Sequence, residues 1–251
     1  MLSLAPVSTA FLWGYDLPYN DVRRDSVRYD SPTLAGFILS ASLANGDTVV
    51  PSGFNTKDAW DVALRYAGEI KEGGGWRFAA AISYRDEQQQ LALPLALPLT
   101  RSTVIQGSAS LMHMPTGLFV NAAAGKVNGD TLLSPLLNST DFTNWQVQAG
   151  IEKKLFSIGA TTVFIEYGHM KIDAENTKVK APSSLTATAS PTMIGGGVVQ
   201  AIDGLAVDLY ADYKRFDTSD PSITACSPPC ATKTFDGFTT DVFMAGMRIK
   251  F

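Results

Sequence analysis

The feature that most constrains this chain is an alternation of apolar and polar residues with a period of two. It recurs in about eleven segments, parted by links that are short and long in turn. The segments are 24–30, 37–44, 59–69, 76–86, 102–114, 118–127, 144–155, 161–172, 192–202, 205–216 and 239–251. Most approach the ~9–11 residues that a tilted strand needs to cross a bilayer, whereas strands of soluble sandwiches average ~5–6. Short links fall at 31–36, 70–75, 115–117, 156–160 and 203–204, and the Asp203-Gly204 pair suits a tight hairpin turn. Long polar links fall between them, at 45–58, 87–101, 128–143, 173–191 and 217–238. Short turns on one side and long loops on the other are the habit of outer-membrane barrels, and a sandwich has no reason to keep it.

Each strand has two chemically distinct faces. In 144–155, Trp145, Val147, Ala149 and Ile151 oppose Gln146, Gln148, Gly150 and Glu152. In 205–216, Val207, Leu209, Ala211 and Tyr213 oppose Asp208, Tyr210, Asp212 and Lys214. In the last segment Phe243, Ala245, Met247, Ile249 and Phe251 oppose Met244, Gly246, Arg248 and Lys250. A soluble protein would turn the apolar face to a core, a membrane barrel to lipid. Aromatic placement separates these readings. Trp60 and Tyr66, Trp76 and Tyr84, and Phe243 and Phe251 stand near the two ends of apolar faces, with mostly small or aliphatic residues between; Tyr213 has the same character. Aromatics at both margins of an apolar band are the interfacial girdles of a transmembrane barrel. The expected fold is therefore all-β, an antiparallel transmembrane β-barrel with outer-membrane lipid around it.

Composition excludes several alternatives. The hydrophobic fraction is 45%, but no run of ~18 apolar residues exists to make a transmembrane helix. A net charge of -4 speaks against nucleic acid as a partner, since phosphate binding needs a basic surface. Cys226 and Cys230 bracket Ser-Pro-Pro, and with only His113 and His169 elsewhere they make no metal site. A local disulfide in an oxidising compartment is expected over free thiols. No cofactor is implied. Residues 1–10 have neither a basic nor a long apolar stretch, hence no secretory signal, and an N-terminally truncated chain is expected.

The run Arg24-Asp25-Ser26-Val27-Arg28-Tyr29-Asp30-Ser31-Pro32-Thr33-Leu34-Ala35-Gly36-Phe37 resembles a hairpin of Gram-negative general porins of the alphaproteobacterial type. The family pattern continues in Leu39-Ser40-Ala41-Ser42 and in the strand Trp60–Glu69; Ser26 stands where the pattern has an arginine. The terminal aromatic Phe251 looks like the family's signal to the barrel assembly machinery. The resemblance implies about sixteen strands in the whole barrel, the Arg24 segment being the sixth, so about five strands would precede this chain. It also implies a homotrimer and a water-filled channel for small hydrophilic solutes and ions.

On that register 1–23 falls where the family folds a loop into the pore as a constriction, and 24–251 forms the wall. Asp16 and Asp21 would supply its acids. Arg24, Arg28, Arg65, Arg77 and Arg85 would face them, giving a transverse field and a weak preference for anions. An odd number of antiparallel strands cannot close without a parallel pair, so an open or strained sheet is expected for this chain.

Other readings find less support. Gly73–Gly75 and Gly195–Gly197 lack the lysine of a phosphate loop; the first reads as a turn, the second as small residues leaving room for a loop or neighbouring subunit. The Asn138-Ser139-Thr140 sequon is incidental in a bacterial outer loop. A barrel enzyme would need a constellation that two isolated histidines do not supply. A plugged structural or adhesive barrel remains a further reading. A sugar- or organic-anion-specific channel would need a ladder of lumen aromatics, for which only Phe164 and Tyr210 are candidates.

Overall fold

A computed structural model describes residues 25–45, 54–70, 74–91, 100–129, 139–175, 184–226 and 230–249. They form β1 (Asp25–Asp30), β2 (Phe37–Asn45), β3 (Phe54–Ile70), β4 (Trp76–Leu91), β5 (Thr100–His113) and β6 (Leu118–Gly129). Then follow β7 (Ser139–Phe156), β8 (Gly159–Glu175), β9 (Ser184–Ile202), β10 (Val207–Cys226), β11 (Cys230–Thr234) and β12 (Phe238–Ile249). The order in the sheet is the order in the chain from β1 to β11, and every ladder between named strands is antiparallel. β10 is shared: its first part, Val207–Thr218, pairs with β12, and its far end, Ser222–Cys226, with β11. β11 is thus a short offshoot in the last long link, and among the described residues the wall proper has the eleven strands read from the alternation. Among the described residues no ladder joins β1 to β12, so the sheet is open.

The turns follow local chemistry. Ala35 (φ 50°) and Gly36 (φ 88°) are both left-handed between the bridged residues Leu34 and Phe37. That is the primed geometry whose twist suits a two-residue hairpin. The Asp203-Gly204 connection differs from the expected tight turn. Asp203–Leu205 makes one 3-10 turn and Ala206 (φ 52°) carries the left-handed step, so β10 begins at Val207. Most strands outrun the sequence segments at the long-loop end; β3 starts at Phe54 and β10 runs twenty residues. Beyond the membrane the hydrophobic alternation fades, but the hairpins still satisfy their backbone groups by pairing, so the ladder continues. Pro221 falls at the register shift between Ser219 and Ser222, where the missing N–H costs no ladder bond.

In the middle strands one face of the sheet is sheltered and the other exposed, and the two alternate residue by residue, whereas in the end strands β1 and β12 both faces are largely exposed. In β8, Phe164, Glu166, Gly168 and Met170 are buried while Val163, Ile165 and Tyr167 are exposed. Cross-strand register carries this parity across the wall, because directly opposed residues share a face. Leu39, Leu64, Ile82, Val120, Val147, Ile165, Leu209 and Met247 all lie exposed on the outer face. A continuous apolar surface of this extent is a membrane-facing surface. No described helix is long and apolar enough to cross a membrane; strands do the crossing.

Candidate functional site

The outer face ends in aromatics at both margins. At the short-turn margin, Phe37 and Tyr66 ring centres are 4.4 Å apart and Tyr66 stacks on Phe78 at 5.1 Å. Beside them Trp76 lies 4.6 Å from His113, whose Nδ1 is 2.7 Å from Thr116 Oγ1. At the long-loop margin, Trp60 packs on Tyr84 and Trp145 on Tyr167, each at 5.4 Å. Tyr213 and Phe243 oppose each other on β10 and β12, both exposed, and Tyr213 donates to Asp241. From Trp76 to Tyr84 the strand rises ~27 Å, or ~20 Å along the normal at ~40° tilt, near the ~25 Å apolar band of such barrels. Both histidines sit on this outer face, His169 6.4 Å from the Trp145 ring.

The inner face carries the charges. Arg28 and Arg65 converge on Asp30, with Nη2–Oδ1 distances of 3.0 and 2.8 Å, and both also reach Ser40 Oγ. Arg77 pairs with Glu69 at 2.7 Å and Arg85 with the buried Glu87 at 2.6 Å. Ser42 donates to Asp61 on the neighbouring strand. Of the expected constriction bases, the fold thus brings Arg28 and Arg65 together and spaces Arg77 and Arg85 eight residues apart on β4, each beside a carboxylate. Asp16, Asp21, Arg24, the whole 1–23 segment and Phe251 lie outside the described residues. Cys226 and Cys230 are opposed in register at the tip of the β10–β11 hairpin, and no described cysteine is free.

Across the sheet a second charged group is more deeply set. Lys214 of β10 reaches over β9 to Glu166 of β8, Nζ–Oε1 2.6 Å, and stands 3.7 Å from Asp212. Lys214 is only 1% exposed. The intervening residue is Gly195, where a methyl group would meet the lysine stem at 3.1 Å and Glu166 Oε1 at 3.1 Å. The room left by Gly195–Gly197 is therefore filled from within by this pair and by Phe164, which lies over Gly197. Nearer the short-turn end Arg248 pairs with Asp208.

Sequence reasoning missed that part of the inner face is apolar. One band joins Val104, Val127, Phe142, Met170, Met193 and Phe216, and another joins Met112, Phe119, Phe164 and Val199 with Tyr210. Three aromatics of the second band lie over glycines directly opposite on the next strand. A methyl at Gly150 would meet Phe119 at 2.6 Å, at Gly197 Phe164 at 2.8 Å, and at Gly246 Tyr210 at 2.6 Å. The signal was present as a glycine in register with each aromatic, but it emerges only once the ladders are known.

By parity the inner face presents Arg28, Arg65, Arg77, Arg85, Lys214 and Arg248 against Asp30, Asp61, Glu69, Glu87, Glu152, Glu166, Asp208 and Asp212. Acids outnumber bases on the described face.

An antiparallel wall, greasy and aromatic-edged outside and charged inside, defines a β-barrel channel protein of the outer membrane. The chain belongs to the Gram-negative porin family, whose sequence profile matches residues 3–221. That family comprises channels rather than enzymes and places the chain in the bacterial outer membrane. No curated protein matches it.

Proposed function

We propose that this wall lines a water-filled channel for passive diffusion of small polar solutes and ions. The carrying observation is the charged inner face backed by a continuous apolar outer face, because a wall so divided separates water from lipid. Asp16 and Asp21 on 1–23 face the Arg28–Arg65 group across the pore, with Arg24, Arg77 and Arg85 extending the basic side. The channel works as a homotrimer, its terminal Phe251 is read by the assembly machinery, and Cys226–Cys230 is a disulfide closing an external hairpin. A substrate-specific channel built on stacking aromatics is less well supported, since Phe164 is only 4% exposed and packs over Gly197. Planar-bilayer recording of the full-length protein tests the reading. Stepwise, ohmic conductance is expected; a membrane holding folded protein yet passing no current would overturn it.

A further inference from the structure

Across β3 to β7 the middle of the inner face carries mostly small, hydroxyl and amide side chains. Between the two apolar bands, two adjacent rungs run across β3 to β7: Ala63, Ser83, Gln106, Gly125 and Asn144, then Arg65, Ala81, Ser108, Ala123 and Gln146. The small side chains of Ala63, Ala81, Ala123 and Gly125 leave a recess of about 290 Å³. Arg65, Ser83, Gln106, Ser108, Asn144 and Gln146 line it. Three of their polar atoms are sheltered and without a hydrogen-bond partner: Arg65 Nε, Asn144 Oδ1 and Gln146 Oε1. Asn144 is only 4% exposed, so bulk water does not serve it freely. Sheltered donors and acceptors left unpaired are costly, and three of those on the inner face belong to residues that line this one recess, which marks it as a place for a hydrogen-bonding occupant.

Resting on the channel reading above, we propose that this recess is a weak, saturable subsite for a neutral polyhydroxylated solute of monosaccharide size. The chemistry selects that class. Amides and serines each donate and accept, and so does a hydroxyl, whereas an ion would need a fixed countercharge. Arg65 has its Nη2 committed to Asp30 at 2.8 Å, and no carboxylate is among the described lining residues. The volume equals roughly ten waters at ~30 Å³ each and lies at the low edge of the ~300–1,000 Å³ of small-molecule sites, which excludes larger oligosaccharides. The flanking bands, Val104–Val127–Phe142 on one side and Met112–Phe119–Phe164 on the other, bound it above and below along the strands.

The test measures D-glucose uptake into liposomes holding the full-length protein, with bilayer conductance recorded in parallel. Uptake is expected to saturate, and Gln146→Leu to raise the half-saturation concentration about fivefold or more, the worth of one hydrogen bond. Ala81→Leu, which fills the recess, is expected to abolish saturation with conductance changed less than about twofold. Polyethylene glycol of similar size, which accepts but hardly donates, is expected not to saturate. Glucose uptake that stays linear in the unaltered protein overturns the subsite, whether or not the variants fold. So does equal saturation by polyethylene glycol. Absence of conductance steps overturns the channel reading itself; steps with linear uptake overturn only the subsite.

Discussion

At the scale of single residues, the ion pair of Lys214 with Glu166 shows how the wall uses its glycines. Two charges on strands that are not neighbours meet because Gly195 puts nothing between them. Removing one partner leaves a sheltered charge alone, which costs about 3–5 kcal/mol, while removing both together is far milder. Lys214→Met is therefore expected to lower the urea midpoint of the vesicle-inserted protein sharply, and Lys214→Met with Glu166→Met and Asp212→Asn, which leaves no carboxylate facing the lost cation, to recover most of it. Equal losses in the single and triple variants would refute the coupling. The parity of Lys214 and Glu166 was legible in the sequence. Their meeting was not, because it depends on the register of three strands at once. The same holds for the arginines: their shared face could be read, but the carboxylate beside each could not.

At the scale of the strand, the two faces of β7 give a direct comparison. Val147 faces lipid between Trp145 and Ile151, and Gln146, its neighbour in the chain, faces inward. An arginine facing hydrocarbon costs about 2–4 kcal/mol at mid-membrane and less towards the margin, near which Val147 stands opposite Tyr167, and one on the lumen side does not meet that penalty. Val147→Arg is thus expected to impair folding into lipid vesicles, followed by heat-modifiable gel migration, with Gln146→Arg folding nearly as the parent does. Similar yields for both would contradict the assignment of faces. Wall strands were the most legible part of the chain, since a two-residue period over many positions leaves one pairing face. Their outer ends were not legible: past the membrane, pairing is held by backbone bonds rather than by a hydrophobic pattern. The turn at Asp203–Ala206 eluded the sequence for a related reason, as the αL step sits on an alanine that carries no turn signal.

At the scale of the whole molecule, the balance of charge on the inner face becomes a measurable potential. Arginines read alone favour anions, but each described one stands beside an acid, and acids are in excess. Under a potassium chloride gradient the reversal potential is expected to have the sign of a modest cation preference. It should shrink as salt rises, since the screening length falls from ~10 Å at 0.1 M to ~3 Å at 1 M. A reversal potential of the opposite sign would remove the described wall as the selectivity-setting surface.

The meander order of the sheet has its own consequence. Among the described residues, and apart from the β10–β12 ladder, which bridges the β11 offshoot, each strand bonds only to the strands before and after it in the chain. Long-range loop closure is then never needed to extend the sheet, and each new hairpin finds its template already laid down beside it. The wall can therefore grow like a zipper, one tooth at a time, and a defect in one tooth is felt first by its two neighbours while the rest of the row stays engaged.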